Sequence, residues 1–215
     1  MSLTIIGKKR GMTRIFDTTS GRILPCTVIE VEQNVISQVK TEKTDGYIAV
    51  QLASVAMSPQ QIKRMTKPVA GQFIKKNLEP KKVLHETRLK DVSGYEVGNS
   101  IDASQFAVGS FVDVRGVSKG KGYQGVIKRH HKGRIASSHG AGPVHRHMGS
   151  VGSIRAHGRV AKNKRMAGHM GDELVTIESL KVLKIDVEKN ALVVKGAIPG
   201  ANGGVVFIRK AMKKG

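Results

Sequence analysis

Short apolar runs separated by turn formers recur through the first quarter of the chain: LTIIG at 3–7, RILPCTVIEV at 22–31, VISQVK at 35–40 and YIAVQLA at 47–53. Each is rich in Val and Ile, and several alternate polar with apolar positions. Thr19-Ser20-Gly21 and Asp45-Gly46 supply turns between them, so each run predicts a strand. Strands this close, with no long helix between them, argue for an antiparallel barrel or sandwich over a parallel sheet, and a small closed barrel is the expectation.

The pattern changes between 57 and 90. Ser58-Pro59 predicts a helix start with Pro59 at the first helical position, and Pro68 opens a second helix in PVAGQFIKKNL. Pro80 ends that stretch before KKVLHETRL, which reads as a strand. This is a small mixed α/β insert whose basic pairs, Lys75-Lys76 and Lys81-Lys82, read as a solvated face, with phosphate contact as the second reading. A strand is predicted over 106–114. The segment 173–195 alternates strongly, with a hairpin turn at Glu188-Lys189-Asn190, and VVFIRK follows the Gly-rich turn from Pro199 to Gly204. The predicted class is therefore mainly β: a globular barrel domain from 1–114 plus 171–215, and a long irregular basic loop over 115–170. Because strands anchor both ends of that loop, its tip can be aimed.

The 115–170 stretch holds 13 Lys or Arg, 7 His and 11 Gly, and no Asp or Glu. It buries too little apolar surface to offset the entropy of ordering itself, so its conformation is expected to come from a partner. The chain carries a net charge of +21, yet outside this stretch 24 basic residues face 16 acidic ones. Such an excess points to nucleic acid, with an anionic membrane surface as the second reading. Membrane insertion is excluded, since no apolar run approaches the roughly 20 residues of a spanning helix. The start MSLTIIGKKRGMT puts a short apolar patch ahead of its charges, the reverse of a secretory signal, so a cytoplasmic location is expected. Cys26, alone in the chain, reads as a small buried hydrophobe.

Candidate chemistry in the loop narrows the partner. Gly120-Lys121-Gly122-Tyr123-Gln124-Gly125 matches GxGxxG, but a dinucleotide site needs an acidic residue about 20 positions on, and none occurs before Asp172. The glycines read instead as places where backbone approaches a phosphate chain, with Lys119 and Lys121 supplying charge. GYQGVIKRHHK predicts one or two helical turns with Lys128 and Arg129 exposed. His130-His131 and His145-Arg146-His147 fit no zinc spacing and have no Cys, Asp or Glu beside them, so neither metal nor cofactor is expected. Histidine suits RNA, where it bonds phosphate or stacks on an unpaired base. No nucleophile with a carboxylate orienter occurs in the loop, and Ser137-Ser138-His139 reads as a polar loop, so no catalytic residue is assigned.

Five blocks in order carry a family resemblance: Gly7-Lys8-Lys9-Arg10-Gly11-Met12-Thr13, Ser118-Lys119-Gly120-Lys121-Gly122-Tyr123, Gly149-Ser150-Val151-Gly152, Arg165-Met166-Ala167-Gly168-His169-Met170-Gly171, and Val194-Lys195-Gly196-Ala197-Ile198-Pro199-Gly200. Together they resemble the universal L-three family of large-subunit ribosomal proteins, in its shorter bacterial form, over nearly the whole length. The resemblance implies a barrel like that of translation factors on the outside of the large subunit, and a loop running inward through 23S-type ribosomal RNA. It also implies an early role in subunit assembly and a loop tip near the peptidyl transferase centre. By position that tip is Gly149, Ser150, Val151, Gly152, Ser153, Ile154, Arg155, Ala156 and His157. Implied neighbours are the large-subunit proteins numbered fourteen and nineteen, with no membrane and no homo-oligomer. Bacterial relatives often carry a methylated glutamine where Arg155 stands here, so no such modification is expected and the tip bears a permanent charge.

The expected function is that of a noncatalytic ribosomal RNA-binding protein. Its cations offset the Coulombic cost of packing RNA helices. The residues expected to reach phosphate are Lys119, Lys121, Lys128, Arg129, Arg134, Arg146, Arg155, Arg159, Lys162, Lys164 and Arg165. An RNA-modifying enzyme and an architectural DNA-binding protein are the competing readings; the first lacks a cofactor motif and the second a helix long enough for the major groove.

Overall fold

The computed structural model describes residues 2–17, 21–153, 155 and 158–214. In chain order the elements are β1 (Ile5–Asp17), β2 (Arg22–Glu30), β3 (Asn34–Lys40), α1 (Glu42–Asp45), β4 (Ala49–Ala56), α2 (Pro59–Lys63), α3 (Lys67–Ile74), β5 (Lys81–Arg88), β6 (Ser100–Ile101), β7 (Phe111–Val117), β8 (Tyr123–Gln124), α4 (Val126–His130), β9 (Gly168–His169), β10 (Leu174–Asp186), β11 (Ala191–Lys195) and β12 (Val205–Lys210). They divide into two units: Met1–Val117 with Leu174–Gly215, and Ser118–Glu173.

The first unit is mainly β, as the alternation predicts. Six strands pair antiparallel in the order β1-β12-β7-β10-β11-β2, and β2 pairs back onto β1, so the order closes as a barrel. A second sheet runs β5-β4-β3-β6. Here the sequence expectation needs correcting: of the four opening runs, only the first two enter the barrel, and VISQVK and YIAVQLA become β3 and β4 of the second sheet. The reason lies in the period of two along a strand. Ile5 points into the barrel core while its neighbour Ile6 joins a second cluster with Ile36, Val50 and Leu52. Val206 and Ile208 of β12 likewise face inward, and Val205 and Phe207 face the second cluster. A barrel wall with apolar residues on both faces needs a cover, and the second sheet is that cover.

Buried Asn34 stitches the two sheets. Its Oδ1 accepts the Ile6 N–H at 2.9 Å, and its Nδ2 donates to the Ile6 carbonyl at 3.1 Å and the Glu32 carbonyl at 2.8 Å. The side chain thus replaces a strand neighbour for Ile6. Gly7 permits the tight approach of β1 to β2, because a Cβ there would lie 2.7 Å from Ile29 Cγ2 and 3.0 Å from the Glu30 carbonyl.

Other elements follow local chemistry. Ser58 caps α2 reciprocally with Gln61, and Pro59 takes the first turn. Pro68 sits in the first turn of α3, which stops at Ile74, short of the expected 78. The strand expected from Phe106 begins only at Phe111; a 3-10 turn over Ala103–Gln105 drops Phe106 into the barrel core. β1 extends well past LTIIG to Asp17 by pairing with β2, Gly11 opposite Val28 through Asp17 opposite Arg22, and near the start of the extension Arg10 meets Glu30 at 2.7 Å and Lys8 meets Glu32 at 2.5 Å. Buried Lys9 donates to the carbonyls of Ile198 at 2.9 Å and Gly200 at 3.0 Å, tying the first family block to the last. The hairpin turn at Glu188-Lys189-Asn190 joins β10 to β11. Cys26 is fully buried, and burial pushes its thiol pKa up. Thr19 and Ser20 of the expected turn lie outside the described residues. Among the described residues, no helix is long and apolar enough to cross a membrane.

Candidate nucleic-acid interface

The second unit starts as a ladder between its two ends. Ser118 N–H donates to the Glu173 carbonyl at 2.8 Å, Lys121 N–H to Met170 at 2.8 Å and Met170 N–H to Gly122 at 3.0 Å. β8 then pairs with β9, Tyr123 opposite His169, and the two rings meet edge to face at 5.9 Å. Gly171 is indispensable to the ladder. It sits at φ +75°, and a Cβ there would lie 2.1 Å from the Lys119 carbonyl oxygen. The GxGxxG match therefore lies on a two-residue ribbon leading into the five-residue α4, without the parallel strand and long helix that a dinucleotide site requires.

Above the ladder, α4 clasps the returning limb. Arg129 Nη1 and His130 Nε2 both donate to the Met166 carbonyl at 3.0 Å. Gly168 makes room for the guanidinium, since a Cβ there would lie 2.5 Å from Nη1. Farther along, His145 Nδ1 donates to the Ala136 carbonyl at 2.9 Å, and the Lys132 ammonium caps the Met148 carbonyl. Histidines read from sequence as candidate RNA ligands thus include two that hold backbone. Among the described residues, no three His, Cys, Asp or Glu side chains converge as a metal site.

Of the eleven cations expected to reach phosphate, Lys119, Lys121, Lys128, Arg134, Arg146, Arg155, Arg159, Lys162, Lys164 and Arg165 are exposed. Arg129 is the exception: half-buried, and already donating to Met166. It is corrected from an exposed side chain to an internal clasp, because neighbours on a helix point about 100° apart, so the turn that exposes Lys128 carries Arg129 toward the returning limb. The six ion pairs found among the described residues, such as Lys40 to Glu86 at 2.7 Å, all lie in the first unit. Among the described residues, none of the cations of the second unit is held in an ion pair. Of the expected tip, Gly149, Ser150, Val151, Gly152, Ser153 and Arg155 are exposed; Ile154, Ala156 and His157 lie outside the described residues.

Sequence reasoning also misplaced some cations. Arg115, counted with the loop, lies within β7 of the barrel. The alternation of FVDVRGV carried that signal, since Val112 and Val114 must face inward. Of the basic pairs read as solvated, Lys75 and Lys82 are exposed, whereas Lys76 and Lys81 are half-buried. Lys76 donates to the Ser37 carbonyl at 2.6 Å, and burial lowers its pKa.

Taken together, a core-stabilised β unit carrying an inserted, cation-dense and acid-poor unit defines a scaffold protein with a surface suited to polyanions. Comparison with known proteins gives that class a family. The family model described as ribosomal protein L3 matches residues 37–191. The large ribosomal subunit protein uL3 of Nocardia farcinica is 49% identical over 211 residues, covering 98% of this chain and 94% of its own. Those of Cellvibrio japonicus and Francisella philomiragia are 47% and 48% identical, each over 213 residues covering 99% of this chain and 98% and 100% of their own. The chain belongs to the ribosomal protein L3 family, which is a family of ribosomal structural proteins and not of enzymes.

Proposed function

We propose that this protein is a structural constituent of the large ribosomal subunit, bound to ribosomes in the cytoplasm, that organises 23S-type ribosomal RNA early in assembly. The observation that carries the reading is the set of eleven exposed Lys and Arg side chains in the inserted unit, the ten named above and Lys132, that have no acidic partner among the described residues. Cations left bare in this way are stabilised when phosphates replace their small counter-ions. In this reading the closed barrel, of the translation-factor kind, sits at the subunit surface. The basic unit follows RNA inward, and Gly149 to Gly152 with Arg155 approach the peptidyl transferase centre. Arg155 brings a fixed charge there and no methylated side chain. The large-subunit proteins numbered fourteen and nineteen are the expected protein neighbours.

The test is binding of the full chain to a large-subunit ribosomal RNA transcript as salt is raised. With roughly 6 to 10 phosphate contacts, each adding about 0.7–0.9 to the log-log slope, affinity falls by about 10³–10⁵ between roughly 50 and 200 mM salt. A nearly flat dependence, or a protein that sediments free of the large subunit in a lysate, rejects the reading.

A further inference from the structure

The barrel unit has an uncompensated cation of its own. On β7 the fully buried Val112 and Val114 face the core, which turns Asp113 and Arg115 to the outer wall. Strand register sets Phe207 of β12 and Thr176 of β10 opposite Arg115, and Arg209 opposite Asp113. β5 of the second sheet roofs this wall: the His85 ring lies 4.4 Å from the Phe207 ring, centroid to centroid, tilted by 31°. Two hollows of about 100 and 270 Å³ result. They share Thr4, His85, Arg115 and Arg209, and Arg88 lines the larger.

Charge in these hollows is not balanced. Asp113, only 3% exposed, is fully engaged: Arg209 Nη2 and Nε both lie 3.3 Å from its Oδ2, and its Oδ1 accepts the Ser179 N–H at 3.0 Å. Glu86 is paired with Lys40 at 2.7 Å. Arg88 rests over the Tyr47 ring at 4.9 Å. Arg115 is exposed and has no acidic partner within ion-pair distance among the described residues. Burial, reinforced by the charge of Arg115, holds the His85 imidazole below its ordinary pKa despite Glu86. The ring is then neutral at pH 7 and keeps its place against Phe207. An arginine without counter-ion, beside an aromatic wall and two threonine hydroxyls, suits an oxyanion: the guanidinium fork matches phosphate, and the apolar wall strengthens the attraction.

We infer that this roofed outer wall of the barrel is a second phosphate site for RNA backbone, with Arg115 as its principal ligand and Arg88, Thr4 and Thr176 around it. The inference rests on the ribosomal RNA reading and adds a contact made by the barrel unit itself. The site recognises a phosphodiester and is indifferent to base identity.

The full chain and its Arg115→Ala and Arg115→Lys variants are titrated onto the same large-subunit transcript at increasing salt. Arg115→Ala is expected to lower the log-log slope by about 0.7–0.9, and Arg115→Lys to keep most of it. A steep wild-type curve with an unchanged slope for Arg115→Ala overturns the pocket alone, whereas a flat wild-type curve overturns the ribosomal RNA reading and the pocket with it. Should Arg115→Ala fail to fold, the wild-type chain decides by NMR: inorganic phosphate, compared with chloride at equal ionic strength, is expected to raise the pKa of the His85 ring. Equal values in the two salts overturn the inference.

Discussion

The two units of this chain treat charge and burial in opposite ways. In the barrel unit, side chains such as Ile5, Ile29, Leu192 and Ile208 are completely buried, and the ion pairs found among the described residues lie there. In the inserted unit Val126 is the one buried apolar side chain among the described residues, and order comes from side chains that grip backbone carbonyls, as Arg129 and His130 grip Met166. Burial of one Ile or Leu stabilises by about 1.5–3 kcal/mol, whereas a single net hydrogen bond contributes about 0.5–1.5 kcal/mol. The barrel unit therefore draws its stability chiefly from burial, and the inserted unit chiefly from hydrogen bonds to its own backbone.

The sharpest way to break this contrast is to neutralise the inserted unit. Replacing Arg134, Arg146, Arg159 and Arg165 by Gln is expected to lower the salt slope by about 3 and RNA affinity by on the order of 100-fold or more. Barrel stability should move by less than about 0.5 kcal/mol in urea unfolding, because these side chains are exposed. The converse change is Leu192→Ala in the barrel core. It should cost about 2–5 kcal/mol of stability while leaving the salt slope of the folded protein as it was.

Smaller effects sharpen the comparison at the junction. Gly171→Ala forces a left-handed residue against the Lys119 carbonyl, at a cost of about 1–3 kcal/mol from backbone strain alone. Its reading is hydrogen exchange: the Lys121 and Met170 amides should exchange faster while barrel amides stay protected. Neighbouring cations then separate two roles. Lys128→Ala should reduce the salt slope by about 0.7–0.9. Arg129→Ala should leave the slope nearly unchanged and instead release the limb around Met166, seen as faster exchange there. Equal slope losses for both would return Arg129 to the phosphate ligands.

The least effect is expected from pH. Because the folded pKa of His85 is depressed, the unfolded chain binds more protons as pH falls below the ordinary imidazole value of about 6.5. Its contribution to stability is present above that value and is lost as pH falls through the folded pKa. Wild-type protein should accordingly lose more urea resistance than His85→Phe between about pH 7 and 5. Glu32 and Glu86, held low by Lys8 and Lys40 against the opposing effect of burial, begin to cost stability only below about pH 4.5.

By itself the sequence determined the β character of the chain, the helix start at Ser58-Pro59, the burial of Cys26 and the crowding of cations into one inserted segment. Each of these is written in neighbouring residues: alternation, a cap, a thiol among aliphatics, and a run without acids. Only the tertiary structure decided that β3 and β4 leave the barrel to cover it, that Lys9 and Arg129 face inward, and that Arg115 stands in the barrel wall beside His85 and Phe207. Alternation tells which residues share a face but not which distant strand will cover that face, and a cation's role depends on whether a carbonyl, a carboxylate or solvent meets it there.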